Sequence, residues 1–221
     1  MNFPEDKNTL LLDDQFMMGE AVLISPVLEQ GAVSVDAYFP QGLWYDFNDW
    51  AFAYNVTSPD GMWASLHTPL TSVNVHIHGG TVLPLQQEAM TTTASRVTPF
   101  TLFVALCPHG KATGSLYWDD GENLMESEYF LAAYAAQVSD IGSGEVSGTV
   151  EISTYAEAAD RRIDTIVLLW SPGKISGACN IQLNGVSQDF ATDLDDTKGR
   201  LTFYDLNIKL TDSFSLTWSG P

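Results

Sequence analysis

The sequence predicts an all-β protein built from antiparallel β-sandwiches, and two kinds of pattern support this. Apolar and polar residues alternate in short runs such as Val33–Tyr38 and Val73–His78, which is typical of strands with one buried face. Turn residues divide the runs at fairly regular spacing, as at Gly79-Gly80 and Asn184-Gly185, and this arrangement indicates sandwiches. With 221 residues, 45% of them hydrophobic, the chain can build one large or two small cores.

Each predicted strand rests on a local run of this kind. In chain order the strands are predicted at residues 33–38, 73–78, 81–85, 102–106, 114–118, 148–155, 162–170, 181–183, 200–204 and 213–218. The runs at 102–106 and 114–118 are predicted to form a hairpin around Pro108–Lys111. Helix is predicted only at Leu12–Glu20 and near Gln86–Met90. The polar stretch Thr91–Ser95 predicts a domain boundary.

The charge of the chain excludes some partners. The formal net charge is −19, from 28 acidic and 9 basic residues, which opposes binding to nucleic acid and to anionic lipid. No apolar run approaches the roughly 20 residues that a membrane-spanning helix needs. The start, Met1-Asn2-Phe3-Pro4, has neither the basic nor the apolar region of a secretory signal, so none is predicted in this sequence.

The two cysteines are too few for a disulfide framework. Cys107 follows the apolar run Phe100–Leu106, so we predict a buried thiol there. A bridge between Cys107 and Cys179 is the alternative.

Several short motifs occur in a fixed order along the first half of the chain. They are Asp14–Gly19, Val22–Leu28, Ala37–Pro40, Trp44–Asp46, His76–Gln86, Thr98–Leu102, Gly114–Trp118 and Asp119–Glu122. Together they resemble glycoside hydrolase family 31, the α-glucosidases and their relatives. The resemblance is dense to about Glu122 and then thins to a strand pattern. Because several motifs keep their order, the match is more specific than any one of them.

The resemblance implies a domain layout. In that family a catalytic (β/α)8 barrel is followed by a proximal and then a distal C-terminal β-sandwich. The chain is therefore expected to be the C-terminal region of a larger enzyme, with all-β architecture. Residues 1–28 would be a short remnant of the barrel, 29–95 the proximal sandwich and 96–221 the distal sandwich.

One stretch looks catalytic. Trp44-Tyr45-Asp46-Phe47-Asn48 mimics the family's nucleophile motif, Trp-x-Asp-Met-Asn. Members hydrolyse α-glucosides with retention, using one aspartate as nucleophile and another as acid and base. Asp46, however, follows an element that resembles the proximal sandwich, whereas the family's nucleophile lies far upstream on a barrel strand. We therefore predict that Trp44 and Tyr45 pack, that Asp46 bonds to a turn, and that this chain holds no catalytic or substrate-binding residue.

Two polar clusters offer a metal site as an alternative to a structural role. Asp119-Asp120-Gly121-Glu122 could bind Ca²⁺, but it lacks the alternating ligand spacing of calcium loops, so an Asx-type turn is predicted. His76 and His78 share one face of a strand, but no third ligand accompanies them. We predict no metal site and no cofactor.

The tryptophans raise the possibility of sugar stacking. Most of them lie within apolar strands, so we predict that they pack in the cores. They are Trp44, Trp50, Trp63, Trp118, Trp170 and Trp218.

The resemblance also implies a function. The parent enzyme would be a retaining α-glucosidase, and this chain its non-catalytic part, which stabilises the barrel and is inactive alone. The barrel, in cis or in trans, would be its partner, and α-glucosides would be bound only through the parent. Two alternatives stay open: a free-standing carbohydrate-binding β-sandwich module, or a pseudo-enzyme that acts through protein contacts.

Two expectations concern the surface. Asn55-Val56-Thr57 is an N-glycosylation sequon, and we predict Asn55 on an exposed loop. The resemblance places the parent in the secretory pathway, as an extracellular, lysosomal or vacuolar enzyme, with the endoplasmic reticulum second. The apolar strips Phe16–Met18 and Val22–Ile24 would face the barrel, so residues 1 to about 28 are predicted to be loosely held without it.

Overall fold

The computed structural model describes residues 3–122, 128–139 and 142–220. The chain divides into two compact units, Met1–Gly79 and Gly80–Pro221. This division lies upstream of Thr91–Ser95, where the sequence predicts a boundary. The reason is that the strand Thr81–Gln86 pairs with strands of the second unit.

The first unit is a two-layer β structure. Its strands are β1 (Phe16–Met18), β2 (Val22–Ser25), β3 (Ser34–Phe39), β4 (Gly42–Asp46), β5 (Ala51–Val56), β6 (Met62–His67) and β7 (Asn74–His78). Among the described residues, five strands form one sheet in the order β1-β2-β7-β4-β5, and β3 pairs with β6 in a second sheet. All of these pairings are antiparallel, so the predicted sandwich architecture is confirmed.

The core of this unit lies between the two sheets. Its buried members are Leu23, Ala37, Phe39, Trp44, Val56 and Leu66. Phe39 of β3 contacts Trp44, Tyr54 and His76 of the larger sheet, with ring centroids 5.7, 4.6 and 4.8 Å apart. Aromatic contacts across the layers therefore hold the sandwich together.

The N-terminal segment is part of this unit. A 3₁₀ turn over Lys7–Leu11 begins at Asp6, whose carboxylate accepts the Asn8 backbone N–H. The Tyr38 hydroxyl donates to Asp6 Oδ2 at 2.6 Å, and the Gln15 side chain makes two hydrogen bonds, both 2.8 Å, to the Tyr38 backbone. These contacts tie residues 6–15 to the sandwich.

The helix predicted at Leu12–Glu20 is wrong. Phe16–Met18 is strand β1, which turns at Gly19, with φ +65°, and pairs with β2. A glycine with positive φ ends a helix or turns a hairpin equally well, so the glycine did not distinguish the two. The predicted helix near Gln86–Met90 is also displaced, since helix α1 covers Thr92–Arg96.

The second unit is built on a long mixed sheet. Its strands are β8 (Thr81–Gln86), β9 (Phe100–Ala105), β10 (Lys111–Trp118), β11 (Phe130–Val138), β12 (Gly144–Ser153), β13 (Arg162–Leu169), β14 (Cys179–Leu183), β15 (Val186–Ser187), β16 (Thr192–Asp195), β17 (Arg200–Phe203), β18 (Ile208–Lys209) and β19 (Phe214–Ser219). Among the described residues the order is β15-β14-β19-β12-β11-β10-β8-β9-β13-β17-β16, with β18 on β13. A second 3₁₀ turn covers Ala156–Asp160.

This sheet folds back on itself to enclose a core. Phe203 of β17 and Trp218 of β19 are far apart in strand order, yet their ring centroids lie 5.1 Å apart. Phe103, Phe130 and Leu216 are fully buried. The second unit thus forms its own sandwich-like core.

The predicted hairpin between residues 102–106 and 114–118 is wrong. Strand β8 lies between β9 and β10, antiparallel to the first and parallel to the second. The turn itself exists, because the Gly110 N–H donates to the Cys107 carbonyl. By contrast, Asn184 and Gly185 have φ of 53° and 76° and join β14 to β15, as predicted for a tight hairpin turn.

Among the described residues, no helix is both long and apolar enough to cross a membrane.

Candidate functional site

In Trp44–Asn48, the stretch that looks catalytic, the first two side chains pack in the core and the aspartate bonds to a turn. Trp44 and Tyr45 are fully buried, and the Trp44 indole N–H donates to the Pro40 carbonyl at 2.8 Å. Asp46 ends strand β4, and its Oδ1 accepts the backbone N–H groups of Asn48 and Asp49 at 2.7 and 3.0 Å. The carboxylate therefore closes a turn, as the sequence predicts.

The charge of Asp46 acts on a histidine and a tyrosine. Burial lowers the pKa of His76, and the Asp46 charge opposes that shift. Burial raises the pKa of Tyr54, and the Asp46 charge adds to the shift. Retaining hydrolysis needs a second carboxyl group about 5–5.5 Å from the first, which His76 and Tyr54 do not provide.

The two histidines of β7 are packing residues. His76 is 2% exposed and contacts the rings of Phe39 and Tyr54. His78 contacts Trp44 and Phe3, with ring centroids 4.8 and 5.6 Å apart, and burial lowers its pKa. Across the residues that the structure describes, no three His, Cys, Asp or Glu side chains are grouped to hold a metal ion.

The acidic loop after β10 also closes turns. Asp119 Oδ1 accepts the Gly121 N–H and Asp120 Oδ1 accepts the Glu122 N–H, each at 2.9 Å. Both are Asx-type hydrogen bonds of the predicted kind. The Asp119 carbonyl accepts from Arg96, whose guanidinium lies 4.8 Å from the Trp118 ring centroid.

Two tryptophans depart from the prediction of core packing, and one of them, Trp50, is only half-buried. Four are buried: Trp44, Trp118, Trp170 and Trp218. Trp63 is instead 55% exposed, and it lies on β6 in the alternating run Met62–His67. The signal for this was in the sequence, because Trp63 shares its strand face with Ser65 and His67, a polar face that turns toward solvent.

Asn55 is exposed, but not on a loop as predicted. It lies in β5, opposite Leu43 of β4. Among the described residues β5 pairs only with β4, so this strand is an edge of the sheet. The sequon keeps its side chain accessible because alternate residues of an edge strand point to solvent.

The cysteines are not bridged. Cys179 is exposed and Cys107 is half-buried. The predicted buried thiol is therefore only partly buried, and the alternative bridge is not formed.

Comparison with known proteins identifies the family of this chain. Residues 1–83 match the model of the glycosyl hydrolase family 31 C-terminal domain. Over 99% of the chain, the sequence is 32% identical to lysosomal α-glucosidase of Rattus norvegicus, and over 76% it is 40% identical to α-glucosidase of Hordeum vulgare. The chain belongs to glycoside hydrolase family 31.

Solved structures of family 31 enzymes share the fold. A dextranase of Flavobacterium johnsoniae superposes with a TM-score of 0.80 over 99% of this chain at 20% identity. A glucosidase II α subunit superposes with a TM-score of 0.78 over 98% at 18% identity. At these identities the likeness establishes the fold alone.

This chain matches only a part of the length of each relative. It spans 24% of the length of the rat enzyme, 19% of the barley enzyme and 28% of the dextranase chain. The matched family region is C-terminal, which agrees with the expected place of this chain after a catalytic barrel.

Proposed function

We propose that this chain is the non-catalytic C-terminal part of a retaining α-glucosidase. The observation that carries the proposal is the engagement of Asp46, whose Oδ1 is held by two backbone N–H groups of its own turn. A nucleophile must instead face the anomeric carbon across from an acid. The names of the relatives, α-glucosidases of barley and rat, supply the reaction.

The second part of the proposal is a supporting role for the catalytic barrel. On the outer side of the β1–β2 pair, Phe16 lies opposite Ile24 and Met18 opposite Val22. Phe16 is 54% exposed and Met18 59% exposed, although large apolar side chains on one face are normally covered. We take this ribbon as the surface that the barrel covers, in cis or in trans.

A hydrolysis assay distinguishes the activity of the isolated chain from that of the longer enzyme. The chain alone is expected to give no turnover of maltose or p-nitrophenyl α-glucoside, and Asp46→Asn is expected to leave that result unchanged. A longer protein in which a family 31 barrel precedes the chain is expected to hydrolyse both. Turnover by the isolated chain that Asp46→Asn abolishes would defeat the proposal.

The ribbon has a matched control. In the longer protein, Phe16→Asp with Met18→Asp is expected to lower the midpoint of thermal inactivation by several degrees, because it places charges where apolar contacts form. Leu70→Asp, at a fully exposed apolar residue outside the ribbon, is expected to have little effect. Equal effects of the two changes would show that the ribbon is not the barrel surface.

The proposed location is the secretory pathway, in an extracellular, lysosomal or vacuolar enzyme. Asn55 is exposed on an edge strand, so an oligosaccharyltransferase can reach it before or during folding. Expression through a eukaryotic secretory route is expected to give a glycan on Asn55, seen as a mass shift that Asn55→Gln removes. An unmodified Asn55 in secreted protein would contradict the proposed modification.

A further inference from the structure

The outer face of the β3–β6 pair has an unusual composition for a surface. Facing pairs along it are Ser34 with His67, Asp36 with Ser65, and Tyr38 with Trp63. Except for Tyr38, which is buried, these side chains are exposed. One large aromatic side chain thus stands on a face of hydroxyl, carboxylate and imidazole groups.

The Trp63 indole packs against the ring of the buried Tyr38. Its ring centroid lies 5.2 Å from that of Tyr38, with an angle of 60° between the rings. Tyr38 is fixed in turn by the hydrogen bond that its hydroxyl donates to Asp6 Oδ2 at 2.6 Å, and the same hydroxyl lies 2.6 Å from the Asp60 carbonyl. The exposed aromatic ring is therefore preorganised, which lowers the entropy cost of binding a ligand against it.

A cavity continues this face past Asp36. It encloses about 380 Å³, and its wall includes Ser34, Asp36, Asp14 and the apolar segment Pro26–Leu28. Asp14 Oδ1 is buried and accepts no hydrogen bond from the residues that the structure describes. A buried carboxylate oxygen without a donor is costly, and Asp14 lies in the cavity wall together with the exposed Asp36 carboxylate.

We propose that this face and cavity bind a chain of neutral α-linked glucose units. Pyranose rings offer an apolar C–H face for Trp63 and hydroxyl donors for the exposed Asp36 carboxylate. The choice of an α-glucan over other sugars rests on the proposed function. The net charge of −19 disfavours anionic ligands.

The spacing along the face fits an extended sugar chain. Trp63 and Ser65 are alternate residues of one strand, about 6.6–6.8 Å apart, and Asp36 faces Ser65 across the pair at about 4.5–5.5 Å between Cβ atoms. The ring of one sugar can therefore rest on the indole while the next reaches the carboxylate. Asp36 lines the cavity as well, so it joins the two parts of the surface.

A divalent cation is the competing ligand for the carboxylates in the cavity wall. The apolar segment Pro26–Leu28 forms part of that wall, whereas a calcium site needs six to eight oxygen ligands. No described group of three acidic, His or Cys side chains is close enough to hold a metal. The surface therefore favours the sugar.

The test is a titration of the whole chain with maltoheptaose, followed by calorimetry and by amide chemical shifts. Binding is expected to shift resonances of β3 and β6. Trp63→Ala is expected to weaken binding at least tenfold, about 1.4 kcal/mol, and Asp36→Asn at least threefold. Tyr204→Ala, at another exposed aromatic residue, is expected to leave the affinity unchanged.

The controls keep the result decisive. Trp63→Phe preserves packing on Tyr38 and is expected to retain most of the binding, so a loss through misfolding is recognised. Unchanged affinity in both Trp63→Ala and Asp36→Asn would overturn the proposal, as would shifts in this region with Ca²⁺ but not with maltoheptaose. Equal binding of cellohexaose would overturn the α-linked assignment. Because the titration needs no turnover, its failure leaves the proposed α-glucosidase function to the separate hydrolysis assay.

Discussion

Replacing Tyr38 by phenylalanine removes one oxygen atom from the first unit and tests how the N-terminal segment is held. The hydroxyl donates to Asp6 Oδ2 at 2.6 Å and lies 2.6 Å from the Asp60 carbonyl. Asp6 is 8% exposed, so its carboxylate cannot regain full hydration when this donor is lost. Burial, together with the Asp6 hydrogen bond, raises the pKa of Tyr38 to about 12, so the hydroxyl stays protonated through the neutral range.

The expected cost follows from the kind of bond that is lost. A hydrogen bond to a charged group contributes about 1.5–3 kcal/mol. The Asp60 carbonyl still accepts a hydrogen bond from the Asn8 side chain at 3.0 Å. Losing its contact with the Tyr38 hydroxyl therefore adds little to the cost. We expect Tyr38→Phe to lower the unfolding free energy of the first unit by about 2 kcal/mol, and to speed amide exchange in residues 6–18.

Tyr134 of β11 provides the matched control. It is 3% exposed and its hydroxyl has no hydrogen-bond partner among the described residues. Tyr134→Phe therefore removes an unsatisfied polar group, and we expect the stability of the second unit to be unchanged or to rise by up to about 1 kcal/mol. Urea unfolding, with amide exchange read separately in each unit, measures both changes. A Tyr38→Phe protein within about 0.5 kcal/mol of the parent, or an equal loss in Tyr134→Phe, would refute the reasoning.

Three further predictions concern the first unit and its controls. Burial lowers the pKa of His76, so the unfolded chain takes up this proton near pH 6.5 before the folded chain does. Stability should therefore fall as pH drops below about 6.5, and His76→Phe should flatten that slope by up to about 1.4 kcal/mol per pH unit in urea unfolding followed against pH; an unchanged slope would contradict this assignment. Gly61→Ala places a Cβ 2.1 Å from the Tyr38 hydroxyl at φ +66°, whereas Gly173→Ala has φ +77° and open space around the new Cβ. Gly173→Ala should therefore lose only about 1–2 kcal/mol of stability to backbone strain, and Gly61→Ala should lose clearly more. Equal losses of stability in calorimetric melting would contradict the steric argument. Asp46→Ala should cost about 1 kcal/mol by removing the acceptor of the turn, while Asp46→Asn, which keeps an acceptor, should cost less; a larger loss in the asparagine variant would mean that the negative charge matters more than the turn.

Local chemistry made several features predictable from the sequence. Alternation of apolar and polar residues depends only on the two faces of a strand, so β3 and β7 were predicted close to their observed positions. Asn184-Gly185 was predictable because few residues accept positive φ at two successive positions. The packing of Trp44 and Tyr45 and the turn bonds of Asp46 were predicted from the place of this stretch beside a sandwich motif, and the structure confirms both.

Pairing between distant segments could not be predicted in the same way. The runs that became β9 and β10 looked like a hairpin because only a short turn joins them, but β8 enters between them. The pairing of β8 depends on packing across the whole unit, and no local sequence pattern indicates it. At Phe16–Met18 the difficulty was different: apolar residues at every position hide the period of the strand.

The place of β8 limits how this protein can be cut or recombined. A fragment that begins at residue 96, after the polar stretch, would contain β9 and β10 but not the strand between them. Each would then present a row of unsatisfied backbone groups, and exposed edges of this kind recruit other chains. Soluble expression should therefore require a start near Gly80, and fragments that begin after Gln86 should aggregate. In a fusion protein or a natural gene rearrangement, the smallest transferable piece of this unit includes the strand that follows Gly79-Gly80.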